Sequence, residues 1–152
     1  MESYHGIISA QHAGILRAFL PHQGTEIAAR LSGALRQSLR RDGTPPVTGD
    51  RVLLDRVEDA GGAAVIKALL PRHSLLTRTE AGTRGWSQPI AANVDLALIC
   101  TSMNEEFNVN RLDRYLAVAD GAGVPAALLL TKADLVRDPV PYARSVSALK
   151  PP

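Results

Sequence analysis

The sequence predicts a chain of β plus α/β class: a small five-stranded barrel of OB type, followed by a unit built on a parallel sheet. Three observations predict it. Five short strand-like runs crowd into the first 70 residues. A polar, glycine-bearing stretch then interrupts the pattern. After it come an apolar run, an amphipathic helix and a second apolar run, in strand–helix–strand order.

The barrel strands follow in order. Gly6–Ala10 and Ile15–Leu20 flank a turn at His12-Ala13-Gly14, and Pro21-His22-Gln23-Gly24 makes the next turn. Thr25–Leu31 alternates with the period of a half-buried strand. A polar, arginine-bearing loop is expected from Gln37 to Asp50, punctuated by Pro45-Pro46 and Gly49-Asp50. Arg51–Leu54 and Ala63–Leu70 are the last two strands, around the turn Asp59-Ala60-Gly61-Gly62. Propensity alone leaves residues 26–36 open to a helix. Five short strands suit a small closed barrel.

The next stretch, Pro71–Gln88, reads as a linker because Thr77–Gly85 is polar and carries two glycines. The organisation expected is a barrel domain over 1–78, a linker over 79–91 and an α/β part over 92–152. Val94–Cys100 is nearly all apolar, as in a strand buried on both faces of a parallel sheet. Val109, Leu112, Tyr115, Leu116 and Ala119 share one helical face, with Asn108 or Asn110 as N-cap and Gly121 as the stop. Val124–Leu130 supplies the second strand, and the crossover between the two should be right-handed. Tyr142, Val146 and Leu149 share a face of a last helix within 141–150.

Bulk properties bound the function. Hydrophobic residues make up 45% and charged residues 21%, a globular balance. No apolar run approaches the roughly 20 residues of a membrane span. Met1–Gly6 has neither the basic flank nor the apolar core of a secretory leader, so a cytoplasmic location without membrane contact is expected. The single cysteine, Cys100, excludes an intrachain disulfide and a cysteine-cluster metal site; its apolar setting predicts burial. His5, His12, His22 and His73 are scattered, so no metal site is expected in this chain. A G-x-S-x-G nucleophile elbow is absent too. Residues 1–90 carry 11 Lys/Arg against 8 Asp/Glu, and all but Lys67 of those cations are arginines. The planar guanidinium suits phosphate contacts, although a solvated arginine surface accounts for the composition equally well.

The most specific signal is Thr131-Lys132-Ala133-Asp134, placed directly after the apolar run that ends at Leu130. A buried strand that ends in Lys-x-Asp and leads into a helix suits recognition of guanine. The Asp carboxylate accepts from the ring N–H and the exocyclic amine together, and the Lys stem lies along the flat face of the base. Adenine offers no such donor pair on that edge. In open α/β sheets ligands bind beyond the carboxyl ends of strands, where Asp134 stands. The plain alternative is that Asp134 only caps the helix that follows. Ser145-Val146-Ser147-Ala148-Leu149 looks like a second guanine-contacting element, but no strand precedes it and its periodicity is helical. No phosphate loop of the form GxxxxGK[ST] occurs in residues 1–130, so catalytic residues are not expected here.

Six segments, in order, resemble the circularly permuted, small-ribosomal-subunit-dependent GTPases of RsgA type. They are Ala29–Arg36, Pro46–Val52, Leu70–Arg78, Ile90–Asp95, Asn110–Leu116 and Leu130–Leu135. The resemblance runs from about residue 6 to about residue 138. It implies an OB barrel followed by the first part of a circularly permuted P-loop GTPase domain, in which the guanine motif precedes the phosphate loop. Thr131 stands where most GTPases have Asn, a replacement this family tolerates.

The resemblance also implies a parent protein that binds GTP/GDP with Mg²⁺ and hydrolyses GTP during late maturation of the small ribosomal subunit. It implies a barrel that docks on ribosomal RNA, and zinc in a C-terminal domain beyond these residues. The chain is thus expected to be an N-terminal fragment, monomeric and unable to hydrolyse GTP alone. The apolar surface and strand edge of its half-built sheet should be left uncovered, making residues 92–152 less stable in isolation than the barrel, or making them lean on it. Arg30, Arg36, Arg40, Arg41, Arg51, Arg72 and Arg78 are the candidates for RNA-backbone contact; several could instead pair with Glu26, Asp50 or Asp55. With aromatics at 4%, and Tyr4, Phe19 and Trp86 the ones near the barrel, a stacking platform is not expected. The alternative function is a stand-alone OB-type nucleic-acid-binding module or adaptor with no nucleotide chemistry.

Overall fold

A computed structural model describes residues 3–12, 14–79 and 87–149. The chain divides into two compact units, Met1–Asn93 and Val94–Pro152. In the first, β1 (Tyr4–His12), β2 (Ile15–Leu20), β3 (Thr25–Leu31), β4 (Arg51–Leu54) and β5 (Ala64–Leu69) close a barrel in the order β1-β2-β3-β5-β4. All neighbours are antiparallel except β3 and β5. This is the OB-type barrel expected, and its strand positions match the period-2 runs.

Alternation explains the core. Ile8, Leu16, Ala18, Leu20, Ile27, Ala29, Val52, Leu54, Ala64 and Ile66 point inward and are buried. Each fully buried Ile or Leu contributes about 1.5–3 kcal/mol relative to an exposed one. Gly6 is required by the tightness of this packing: a Cβ there would sit 2.8 Å from Leu54 Cδ1 and 3.3 Å from the Phe19 carbonyl oxygen.

Between β3 and β4 lies a helix, α1 (Gly33–Asp42), which takes residues 37–42 of the expected loop. Its ends explain it. Ser32 Oγ accepts from the Leu35 amide at 3.1 Å. At the other end Gly43 adopts the left-handed conformation, φ 63°, and donates its N–H to the Leu39 carbonyl. Of residues 26–36, open to helix on propensity, 26–31 are strand because they complete the barrel, and 33–36 are the start of α1.

The expected linker likewise contains strands. β6 (Leu75–Thr79) and β7 (Ser87–Ala92) pair antiparallel, with a register irregularity between Leu76 and Thr77 that places Pro89 opposite Thr77. The intervening residues, including Trp86 and most of the polar Thr77–Gly85 stretch, lie outside the described residues, as do Ala13 and Lys150–Pro152. β7 is joined to the barrel by a bridge from Ala91 to Thr48 and by the Ala92 amide donating to the Thr48 carbonyl at 2.9 Å.

In the second unit β8 (Ala97–Ser102) and β9 (Ala126–Thr131) pair in parallel around α2 (Val109–Gly121). Asn108 caps α2 by accepting from the Arg111 amide, and Leu112, Leu116 and Ala119 bury its inner face. A single 3-10 turn, Ala133–Leu135, precedes α3 (Val140–Ser147).

Cys100 departs from expectation: it is exposed. Leu98, at 62% exposure, and Leu129 share that openness, so β8 is covered on one face instead of two. No helix among the described residues is long and apolar enough to cross a membrane.

Candidate guanine-recognition turn and arginine surface

The parallel register sets Ser102 opposite Thr131, so β8 and β9 finish level. Two bonds fasten those ends. Thr131 Oγ1 donates to the Thr101 carbonyl at 3.2 Å, and the Met103 amide donates to the Thr131 carbonyl at 3.0 Å. On the β8 side, Asn104 Oδ1 accepts from Ser102 Oγ at 2.8 Å and from the Glu106 amide at 3.2 Å, which turns the chain back toward α2.

The turn itself is strained. Lys132 sits in the left-handed region at φ 59°, ψ 38°. A non-glycine residue there carries a cost of about 1–2 kcal/mol. Its carbonyl accepts the Leu135 amide at 3.1 Å, which closes the 3-10 turn. The result sets Ala133 and Asp134 beyond the strand end, both exposed.

Asp134 does not cap the following helix. It lies inside the 3-10 turn, and it is Asp138 Oδ1 that accepts from the Val140 amide, at 3.0 Å, at the start of α3. The Asp134 carboxylate has no hydrogen-bond or ionic partner among the described residues. Phe107 and Tyr142 meet edge to face, centroids 4.9 Å apart, which ties α3 to the segment before α2. All four residues singled out in the sequence, Thr131, Lys132, Ala133 and Asp134, are therefore gathered at one strand end. The left-handed Lys132 and the Asn104 brace were not foreseen; the torsion has no signature in residue type, and Asn104 offered only its turn propensity.

The arginines divide. Arg30 on β3, Arg51 at the start of β4 and Arg78 on β6 are exposed. Arg36, Arg40 and Arg41 lie along α1, also exposed, and Arg36 with Arg40 faces one groove.

Arg72 is different: its side chain is 14% exposed and forks onto the fully buried Asp50. Nε reaches Oδ1 at 2.6 Å, and one terminal nitrogen reaches both Oδ2 at 2.7 Å and the Pro45 carbonyl at 2.9 Å. Hydrogen bonding to Asp50 raises the Arg72 guanidinium above its usual range. The other acids named as possible partners take different arginines. Glu26 pairs with Arg17 at 3.5 Å, and Asp55 pairs with Arg56 at 3.0 Å.

Known proteins share the sequence and the fold of this chain. The sequence model of the RsgA GTPase family matches residues 69–150, more than half of the chain and the whole of the Lys-x-Asp turn. A Methanosarcina acetivorans protein named small ribosomal subunit biogenesis GTPase RsgA is 41% identical over 135 residues, covering 88% of this chain and 34% of that protein. Among solved structures, YjeQ from Thermotoga maritima superposes with a TM-score of 0.70 at 24% identity, over 99% of this chain and 50% of that one. YloQ, described as a circularly permuted GTPase, gives 0.64 at 21% identity, over 97% of this chain and 46% of that one. The two structures establish the fold. The chain spans about a third of the curated relative and about half of each solved chain. The matched region holds the turn and the parallel strand pair that presents it, and by that match the chain belongs to the RsgA GTPase family.

Proposed function

We propose that the chain is the base-reading portion of a GTPase acting in biogenesis of the small ribosomal subunit. The observation that carries this is the unpartnered Asp134 carboxylate, held beyond the end of β9 by a strained Lys132. A solvated loop acid would not need a backbone cost of that kind. In this reading Asp134 accepts from the two guanine N–H groups, and the Lys132 stem covers one face of the base. The Thr131 hydroxyl does not touch the base: it ties β9 to the Thr101 carbonyl and so holds the turn in place.

Phosphoryl transfer needs a phosphate loop, its lysine and a Mg²⁺ held by Ser or Thr. The 152 residues contain no such loop. They hold the base and leave hydrolysis to residues outside them. RNA contact falls to Arg30, Arg36, Arg40, Arg41, Arg51 and Arg78, whose guanidinium groups are open to phosphates. Arg72 is a brace in this scheme.

The test is a nucleotide switch. In a chain extended to the length of its relatives, Asp134→Asn moves preference from GTP toward XTP, because the amide matches the xanthine edge. Unchanged GTP affinity would remove Asp134 from the site. The 152-residue chain by itself is expected to show no GTP turnover.

A further inference from the structure

The helix α1 buries no residue completely. Leu35 leans on the barrel core, and the C-terminal half of the helix stands beside a groove. Two adjoining hollows of about 300 and 340 Å³ make it up, and both are lined by Leu31, Arg36, Arg40 and Pro46; Leu39 extends the apolar floor. Arg36 and Arg40 are one turn apart, so their side chains project along the same edge. Neither forms an ion pair among the described residues, and no carboxylate lines either hollow. The nearby acid on the helix, Asp42, accepts from Ser38 Oγ instead.

We infer that this groove takes a single unpaired nucleotide of RNA, the base on Leu31, Leu39 and Pro46 and the flanking phosphates on Arg36 and Arg40. The inference rests on the RNA-binding reading above and names a site within it. The chemistry is complementary on both counts. An apolar hollow of this size is at the small end of ligand sites and accepts a flat base, whereas a paired base is already stacked on both faces. The base would lie on an aliphatic floor, so the groove does not depend on the barrel's few aromatic residues, Tyr4 and Phe19. Arg36 and Arg40, one helical turn apart with about 5–6 Å between their Cβ atoms and without ion-pair partners among the described residues, can each take a phosphate. A peptide combining carboxylates with an apolar side chain is the competing occupant.

The experiment measures binding of two fluorescent RNAs to the 152-residue chain at fixed salt: a blunt, fully paired duplex, and the same duplex with one bulged nucleotide. The bulged RNA is expected to bind about tenfold tighter, the effect of taking on the order of 55 Å² of apolar base surface out of water. Arg36→Ala/Arg40→Ala removes that preference. Arg36→Lys/Arg40→Lys keeps duplex binding, since charge is retained, and still loses most of the preference, since the planar group is gone. Arg30→Ala/Arg51→Ala weakens both RNAs alike and keeps the preference. Equal binding of the two RNAs by the unaltered chain overturns the inference, and so does a preference that survives in Arg36→Ala/Arg40→Ala. Displacement of the bulged RNA by a short Asp- and Leu-containing peptide that binds more tightly also overturns it. If neither RNA binds at all, the RNA reading of the barrel falls and takes this site with it.

Discussion

Arg72 grips Asp50 through two parallel hydrogen bonds, 2.6 and 2.7 Å long, at a corner where Asp50 is wholly buried. The second carboxylate oxygen also accepts from the Val47 amide at 2.8 Å. Asn93 closes the same corner from the far end of β7: its Oδ1 accepts from the His73 amide at 3.0 Å and its Nδ2 donates to the Gly49 carbonyl at 2.9 Å. Gly49, at φ 90°, leaves no room for a side chain, because a Cβ would collide with the Ala92 carbonyl. Barrel loop and β6–β7 pair are thus pinned by one charge pair and one amide.

Removing one member of that pair should be costly. Asp50→Ala strands the Arg72 guanidinium and the Val47 amide, and Arg72→Ala strands a buried carboxylate. Each is expected to lower stability by about 3–5 kcal/mol. The double change Asp50→Leu/Arg72→Leu should cost less than either alone, since it leaves no unpaired charge. Urea titration followed by circular dichroism reads all three. If Arg72→Ala proves nearly neutral, the pair is not bracing the corner.

Lys132 offers a separation of strain from function. Lys132→Gly releases a left-handed torsion that glycine adopts freely, so β9 should hold its stability or gain up to about 1 kcal/mol. In a chain long enough to bind GTP, the same change should weaken nucleotide binding, because on the proposed reading the stem that covers the base is lost. Hydrogen exchange of the β9 amides and nucleotide titration measure the two effects. A loss of strand stability together with unchanged affinity would reverse the roles assigned to this residue.

Much of the fold was legible because barrel strands alternate and their turns are marked by glycine, proline and aspartate. Of helix α1 only the start was legible, within the helical option for residues 26–36; the rest of its segment is rich in arginine and has few apolar positions. What makes it a helix is the Ser32 cap, the left-handed Gly43 and the support of the barrel under Leu35. The Arg72–Asp50 pair joins residues 22 apart; the sequence offers Asp50 as one possible partner for several arginines, and nothing local couples it to Arg72. At the Lys-x-Asp turn, residue types and strand end were legible, whereas the torsion of Lys132 was not. Torsions of this kind are imposed by neighbours such as the Thr131–Thr101 tie.

Asp55 should give the barrel an acid-sensitive contact. Hydrogen bonding to Arg56, and then to the Val65 amide at 2.8 Å, holds its carboxyl below the ordinary value of 3.8. A depressed carboxylate contributes stability that is fully present above the unfolded value and fades as pH falls through the lower folded one. The barrel should therefore lose stability below about pH 4, and Asp55→Asn should flatten that part of the curve while lowering stability at neutral pH. The size is small, because the Arg56 end of the pair is open to solvent and screened. Thermal melts from pH 2 to 7 of the two proteins would show it; parallel curves would exclude Asp55 as a source.

The open face of β8 and β9 has a chemical handle. Register sets Cys100 opposite Leu129 and Leu98 opposite Ala127, and Leu98, Cys100 and Leu129 are all exposed. A thiol reagent should therefore label Cys100 in the native chain at a rate close to that of the urea-unfolded chain, where a buried cysteine would wait for unfolding. The neighbouring leucines form an apolar surface of the kind that drives association. Leu98→Thr/Leu129→Thr should reduce light scattering of concentrated protein and change the unfolding free energy by no more than about 0.5 kcal/mol per site, as for other exposed positions. Labelling that appears only on denaturation, or a large loss of stability in the double variant, would mean that this face is packed in solution and that the burial expected from the apolar run was correct after all.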